Sequence, residues 1–247
     1  MAQIEQTIAF LDDRMGPEAF DDLGPNGLQV PAAREIERVV TGVTAQRALF
    51  DAAVAQDAQL VLVHHGLFWS FNPLGLTPLL AERLRPLFKH DIALAAYHLP
   101  LDAHPEIGNN ALLADALGAR EHEPFDGIGR GATFAEPLAA AELFQRVTAV
   151  TGREPLVFDA GPPEVRRIAI VSGSAASRLD KAVAEGYDAF LTGEPKENVM
   201  ADAREARIHF IAAGHYATET LGVRRLGDLL AERFGIEHVW VDIPNPV

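Results

Sequence analysis

His64 and His65 close an apolar run that reads Leu60-Val-Leu-Val-His-His-Gly66. Side chains alternate along an extended strand, so two adjacent imidazoles set out on opposite sides, and a buried core accommodates both poorly. Imidazole is also the commonest metal-binding side chain. Asp102, His215 and Glu219 follow other apolar runs in similar settings. Three neutral imidazoles and two carboxylates can hold two first-row divalent ions roughly 3.5–4 Å apart, with one carboxylate bridging them. Five protein ligands do not fill two coordination shells, so water or substrate must complete them, as in a catalytic site. The expected cofactor is therefore a pair of divalent ions per subunit, and the donor set suits Zn, Fe or Mn.

Each residue also has a plainer reading when taken alone. A His-His dipeptide arises by chance, Asp102 could cap a turn before Pro105, and His215 with Glu219 could be an i,i+4 surface pair worth about 0.3–0.5 kcal/mol. Their joint occurrence at predicted strand ends favours metal. His90, His122, His209 and His238 lack that placement and are expected to be structural or solvated. Ser172–Ser177 could cradle an anion through its backbone N–H groups, although such loops are more often plain connectors. Trp69 and Phe71 are expected to pack, with stacking on a planar substrate as the second reading.

The elements that must position these residues alternate along the chain. A helix is expected over 3–15, then strand Val39–Val43, helix Ala45–Ala55, strand Leu60–Val63, helix Pro78–Phe88, strand Ile92–Tyr97 and helix Asn110–Leu117. Residues Glu123–Gly131, rich in Gly and charge, suggest a break, which places the domains at 1–125 and 126–247. Beyond it come helix Ala139–Val150, strand Arg167–Val171, helix Ser177–Glu185, strand Ala189–Leu191, helix Lys196–Ala206, strand Ile208–Ala212, helix Thr220–Phe234 and strand Val239–Ile243. Strands alternating with helices of about ten residues predict two α/β lobes with mixed, largely parallel sheets flanked by helices. In such sheets ligands gather beyond the carboxyl ends of strands, where His64, His65, His98, Asp102, Glu194, His215 and Glu219 all fall. Thr218 is placed to cap the last long helix.

Composition narrows the function classes. The 247 residues are 48% hydrophobic and 23% charged, the balance of a globular protein. A net charge of −14 argues against a nucleic-acid backbone as partner, since such surfaces are basic. Arg83, Arg85 and Lys89 form the nearest basic cluster and read as a solvated helix face. With no cysteine, disulfides and thiolate chemistry are excluded, which fits a reducing, cytoplasmic setting. The first residues lack the basic flank and apolar stretch of a signal peptide, and no apolar run is long enough to span a membrane.

Together these motifs resemble the NIF-three-like dinuclear metal-centre family, whose members are often labelled GTP cyclohydrolase type-two homologues. The likeness rests on Asn26-Gly-Leu-Gln-Val30, Val63-His-His-Gly-Leu-Phe-Trp69, Tyr97-His-Leu-Pro-Leu-Asp-Ala-His-Pro-Glu-Ile-Gly-Asn-Asn110, Thr192-Gly-Glu194, Ala213-Gly-His-Tyr-Ala-Thr-Glu219 and Val241-Asp-Ile-Pro-Asn-Pro246. It spans nearly the whole chain. What the resemblance implies is a metal pair in the cleft between the two lobes of a subunit of a toroidal homohexamer. His64 and His215 would hold one ion, His65 and Asp102 the other, and Glu219 would bridge them. His98 matches a family histidine close to the site, and Glu194 is the candidate general base or additional contact. Many relatives carry Asp where this chain has Thr44, so a polar contact near the site is expected to be missing. The implied function is a metal-dependent hydrolase acting on a nucleotide, phosphoester or other small substrate through metal-activated water. The alternative is a non-catalytic hexameric ring scaffold with a regulatory or DNA- or protein-binding role.

Overall fold

A computed structural model describes residues 1–32 and 34–247 of the chain. It is an α/β protein with two mixed sheets, and its chain contacts separate into two compact units.

The first unit comprises Met1–Leu101 and Gly222–Ile243. Its five-stranded sheet runs in the order Glu237–Trp240, Arg38–Thr44, Leu60–His65, Ala93–Ala96, Gly27–Val30. The first four strands are parallel and the last is antiparallel. Leu60, Val61, Leu62 and Val63 are all fully buried, as expected of a parallel strand covered on both faces. Helices Arg47–Ala55 and Pro78–Lys89 cover one face, where Leu49, Phe50, Leu84 and Leu87 meet Val40, Val61, Val63 and Leu94. Pro78 opens its helix at a position that needs no N–H donor, and the Thr77 hydroxyl accepts from Leu80 N–H at 3.2 Å. The expected first helix is Ile4–Met15, buried along Ile4, Thr7, Leu11 and Met15 and ended by Gly16 in the left-handed region.

The second unit comprises Asp102–Leu221 and Pro244–Val247. Its six strands run Glu121–Phe125, Gly129–Ala139, Glu164–Val171, Ala189–Thr192, His209–Ala212, Leu156–Phe158. Glu164–Val171, Ala189–Thr192 and His209–Ala212 are parallel, and the flanking strands are antiparallel. Period-two alternation sends Ile168 and Ile170 into one core with Leu113, Leu143 and Val147. Ala169 and Val171 enter another with Leu179, Phe190 and Phe210.

The contact partition differs from the division expected near residue 125. Residues Glu123–Gly131 are no linker: they form a hairpin, Phe125 pairing with Gly129 around Asp126 and Gly127, both at positive φ. Gly and charge served a tight turn inside one sheet. The chain instead changes unit after Leu101, and again after Leu221, when strand Glu237–Trp240 pairs with Arg38–Thr44. Long-range pairing of that kind leaves no local mark in composition. Among the described residues no helix is long and apolar enough to cross a membrane.

Candidate metal centre

In the first unit the parallel strands deliver His64, His65 and His98 to one place. One ring nitrogen of each lies within 4.8 Å of the other two. The two adjacent rings do not point apart as the alternation rule suggests: their centroids are 4.6 Å apart, with planes at 43°. The strand stops at His65, and an imidazole is long enough for its ring to swing around a strand end although the Cβ directions oppose. His64 is fully buried.

Each of these rings is held by an oxygen at Nδ1. His64 Nδ1 lies 3.0 Å from the Tyr97 carbonyl, His98 Nδ1 2.7 Å from Asp22 Oδ1, and His65 Nδ1 3.2 Å from Thr44 Oγ1. A carbonyl or carboxylate has no proton to give, so the first two contacts require the proton on Nδ1 and place the lone pair on Nε2. That tautomer leaves Nε2 as the nitrogen able to bind a metal. The Thr44 hydroxyl supplies the polar contact expected to be missing at that position.

Asp22 anchors more than the ring. It accepts from Leu99 N–H at 3.0 Å and from Asn26 Nδ2 at 2.9 Å, while Asn26 Oδ1 accepts from His98 N–H at 2.7 Å. Burial pushes the Asp22 carboxyl up, but His98 and these donors outweigh it and hold the pKa at about 2. Asp22 carries no signal in the sequence beyond the neighbouring Asn26 motif. Gln29 of that motif accepts from Leu67 N–H at 2.8 Å, fixing the loop that leaves His65. Trp69 packs edge-on to His98 at 5.0 Å and stacks on Phe71.

In the second unit Asp102 is 4% exposed, and its Oδ1 accepts from Asn109 Nδ2 and Ser172 Oγ, both at 2.8 Å. Asn110 donates to the Asp102 carbonyl at 3.2 Å and accepts from Ser172 N–H at 2.7 Å. Ser172, Gly173 and Ala175 already give their N–H groups to Asn110, Thr218 and Thr192. The loop expected as a possible anion cradle is thus part of the scaffold around Asp102. Thr218 does not cap the long helix: its hydroxyl donates back to the Gly214 and His215 carbonyls within the short turn His215–Thr218.

His215 and Glu219 meet across this turn, Nε2 to Oε1 at 3.3 Å, with Glu219 only 2% exposed. Glu194 binds the opposite ring nitrogen, His215 Nδ1. Burial opposes a charge on His215, but the Glu219 and Glu194 carboxylates prevail and raise its pKa to about 9 in the metal-free protein. Gly173, at φ +65°, makes this approach possible, since a Cβ there would stand 2.4 Å from Glu219 Oε1 and 3.2 Å from His215 Nε2.

Two of the histidines set aside from the sequence are engaged elsewhere. Both nitrogens of His209 are engaged by Gly161 N–H and the Pro162 carbonyl, and those of His238 by Asp228 and Thr41. Clustered His, Asp and Glu donors of this kind can bind a metal ion.

Comparison with known proteins gives the lineage. A family model described as Duf34/NIF3 (NGG1p interacting factor 3) matches residues 2–246. A Pseudomonas aeruginosa protein named GTP cyclohydrolase 1 type 2 homolog is 47% identical over 248 residues, spanning 98% of this chain and 96% of its own. An Escherichia coli (strain K12) protein of the same name is 41% identical over 245 residues, 99% and 98% of the two chains. Among solved structures, protein ybgI, titled as of unknown function, matches with a TM-score of 0.95 at 40% identity over 100% of both chains. TTHA1606 from Thermus thermophilus matches at 0.93 and 37%, again over both whole chains. The chain therefore belongs to the DUF34/NIF3 family.

Proposed function

We propose that this protein is a dinuclear divalent-metal hydrolase in which His64, His65, Asp102, His215 and Glu219 hold two ions of the Zn, Fe or Mn type. One observation carries the reading: all four imidazoles, His64, His65, His98 and His215, have an oxygen partner at Nδ1, which leaves Nε2 to meet a metal, and ring nitrogens of the first three lie within 4.8 Å of one another. His238 also has an oxygen at Nδ1, but its Nε2 is taken up by the Thr41 hydroxyl at 2.7 Å.

When bound, such ions lower the pKa of water toward neutrality and polarise the bond that is attacked. The roles of the chain's own groups follow from their contacts. Glu219, 2% exposed beside His215, is the carboxylate that would bridge two ions, with His64, His65, Asp102 and His215 completing the donor set. Glu194, first expected as a general base, grips His215 Nδ1 and so orients that ligand. His98, steered by Asp22, is the group able to hold or pass a proton near the substrate. Nucleotides and phosphoesters are the substrate classes to screen, and a toroidal homohexamer in the cytoplasm is the expected setting.

Elemental analysis of the purified protein, beside turnover on nucleotide and phosphoester panels, tests the proposal. Two ions per wild-type chain, a lower content in His65→Ala and lost turnover in Glu219→Ala are expected. Wild-type protein that takes up no divalent ion, or a His65→Ala variant that keeps the full complement, would sink the assignment. A second reading, the non-catalytic scaffold, draws on an exposed apolar run: Phe71 is 70% exposed, Leu76 71% and Leu79 63%. Apolar side chains exposed to that degree are ones a protein partner would cover. Metal-loaded protein without turnover, whose assembly fails on Leu76→Ser, would favour it.

A further inference from the structure

Arg130 is the buried cation that the proposed chemistry leaves unused. It lies on strand Gly129–Ala139 with 7% exposure, and no acidic side chain among the described residues pairs with it. Its Nε has no hydrogen-bond partner among those residues, and its guanidinium donates from Nη2 to the Ala103 carbonyl at 2.9 Å. Burial alone pushes its pKa down. A buried, unpaired guanidinium destabilises a fold, so its presence calls for a compensating use.

The contact it makes is informative. Ala103 ends the single-turn helix Leu99–Ala103, directly after Asp102. Three other side chains grip the same turn: Asn109 and Ser172 on the Asp102 carboxylate, and Asn110 on the Asp102 carbonyl. Those three are neutral, and Arg130 supplies a positive charge, placed at a helix C-terminus where a cation is favoured. Five residues cannot hold their own terminal carbonyls firmly, and here the chain also changes unit.

We propose that Arg130 is a positioning residue for the metal centre, clamping the Ala103 carbonyl so that the Asp102 carboxylate is presented for coordination. The inference rests on Asp102 being a ligand. It adds that ligand strength at Asp102 is set from the hairpin strand, one residue removed along the backbone. Replacing a side chain that orients a metal ligand typically weakens binding about 10- to 100-fold.

The test uses the full chain, with Zn2+ and Mn2+ titrated calorimetrically into wild type, Arg130→Met and Arg130→Lys, and circular dichroism and melting recorded in parallel. Arg130→Met fills the same volume without the charge and is expected to fold, because no ion pair is broken. Its affinity for one of the two ions should fall about 10- to 100-fold, the other ion being bound normally, with Arg130→Lys in between. Wild-type affinity for both ions in Arg130→Met overturns the inference. So does loss of fold in both variants, which marks Arg130 as purely structural. If wild type binds no metal at all, the metal reading itself has failed, a result distinct from the other two.

Discussion

Gly173→Ala separates backbone strain from crowding at the proposed metal site. Gly173 sits at φ +65°, a conformation that costs an alanine about 1–2 kcal/mol. Its new methyl would also stand 2.4 Å from Glu219 Oε1. Glu219 is 2% exposed and tied to His215, so it cannot simply swing away. Forcing a methyl into packed surroundings adds about 1–3 kcal/mol. Gly152 provides the control: it has φ +68° at a helix end, and an added Cβ there would meet nothing within 4 Å, so Gly152→Ala incurs only the strain. For a chain of this size each kcal/mol moves the melting temperature by about 2–4 °C. Gly152→Ala should therefore melt roughly 2–8 °C below wild type, and Gly173→Ala a further 2–12 °C lower. Calorimetric melting of the two variants, metal-free and metal-loaded, reads the difference. Metal should stabilise wild type and Gly152→Ala alike, and Gly173→Ala far less, since its Glu219 and His215 are displaced. Equal melting temperatures and equal metal stabilisation in the two variants would refute the crowding argument.

Other expectations follow from the pKa shifts. His215 is raised from 6.5 to about 9 without metal, so at neutral pH an arriving ion must displace its proton. Apparent metal affinity should rise with pH until about 9 and then level off. Calorimetry at pH 7 in buffers of different ionisation enthalpy should show proton release that Glu194→Gln diminishes, because one of the carboxylates raising the pKa is gone. The same pairing stabilises the metal-free fold fully below pH 6.5, and that contribution fades as pH climbs through about 9. Asp22 works in the opposite sense. Its pKa is depressed from 3.8 to about 2, so its contribution is present above pH 3.8 and is lost as pH falls through about 2. With the side chain 3% exposed, Asp22→Asn should lower stability at pH 7 by about 2 kcal/mol in urea unfolding, with the gap from wild type closing toward pH 2. A gap that persists at pH 2 would show that shape, not charge, matters there.

The fold was legible where local pattern decides it. The apolar run ending in His64 and His65 reads as a parallel strand because it is buried on both faces, and the first helix shows its spacing at Ile4, Leu11 and Met15. Partition of the chain was not legible, because it depends on strand Glu237–Trp240 returning to Arg38–Thr44, nearly two hundred residues away. A Gly-rich charged segment looks the same whether it links domains or turns a hairpin, and Glu123–Gly131 turned a hairpin.

The candidate site divides along the same line. Donor types announce themselves, since His, Asp and Glu at strand ends are visible in any reading. What fixes which nitrogen an imidazole presents is the partner on its other nitrogen, and here each ring has a different one. They are a main-chain carbonyl at Tyr97, a hydroxyl at Thr44, and carboxylates at Asp22 and Glu194. A carbonyl carries no sequence signature, and Asp22 lies 76 residues from the ring it holds. The same physics explains Arg130, whose contact is also to a carbonyl. Groups that orient the donors are thus recruited by chain geometry instead of residue type, so donor types can be read from sequence while the partners that orient them cannot. That ordering makes Glu194→Gln and Arg130→Met more discriminating than removal of a ligand. They alter how strongly a donor binds while leaving every proposed ligand in place.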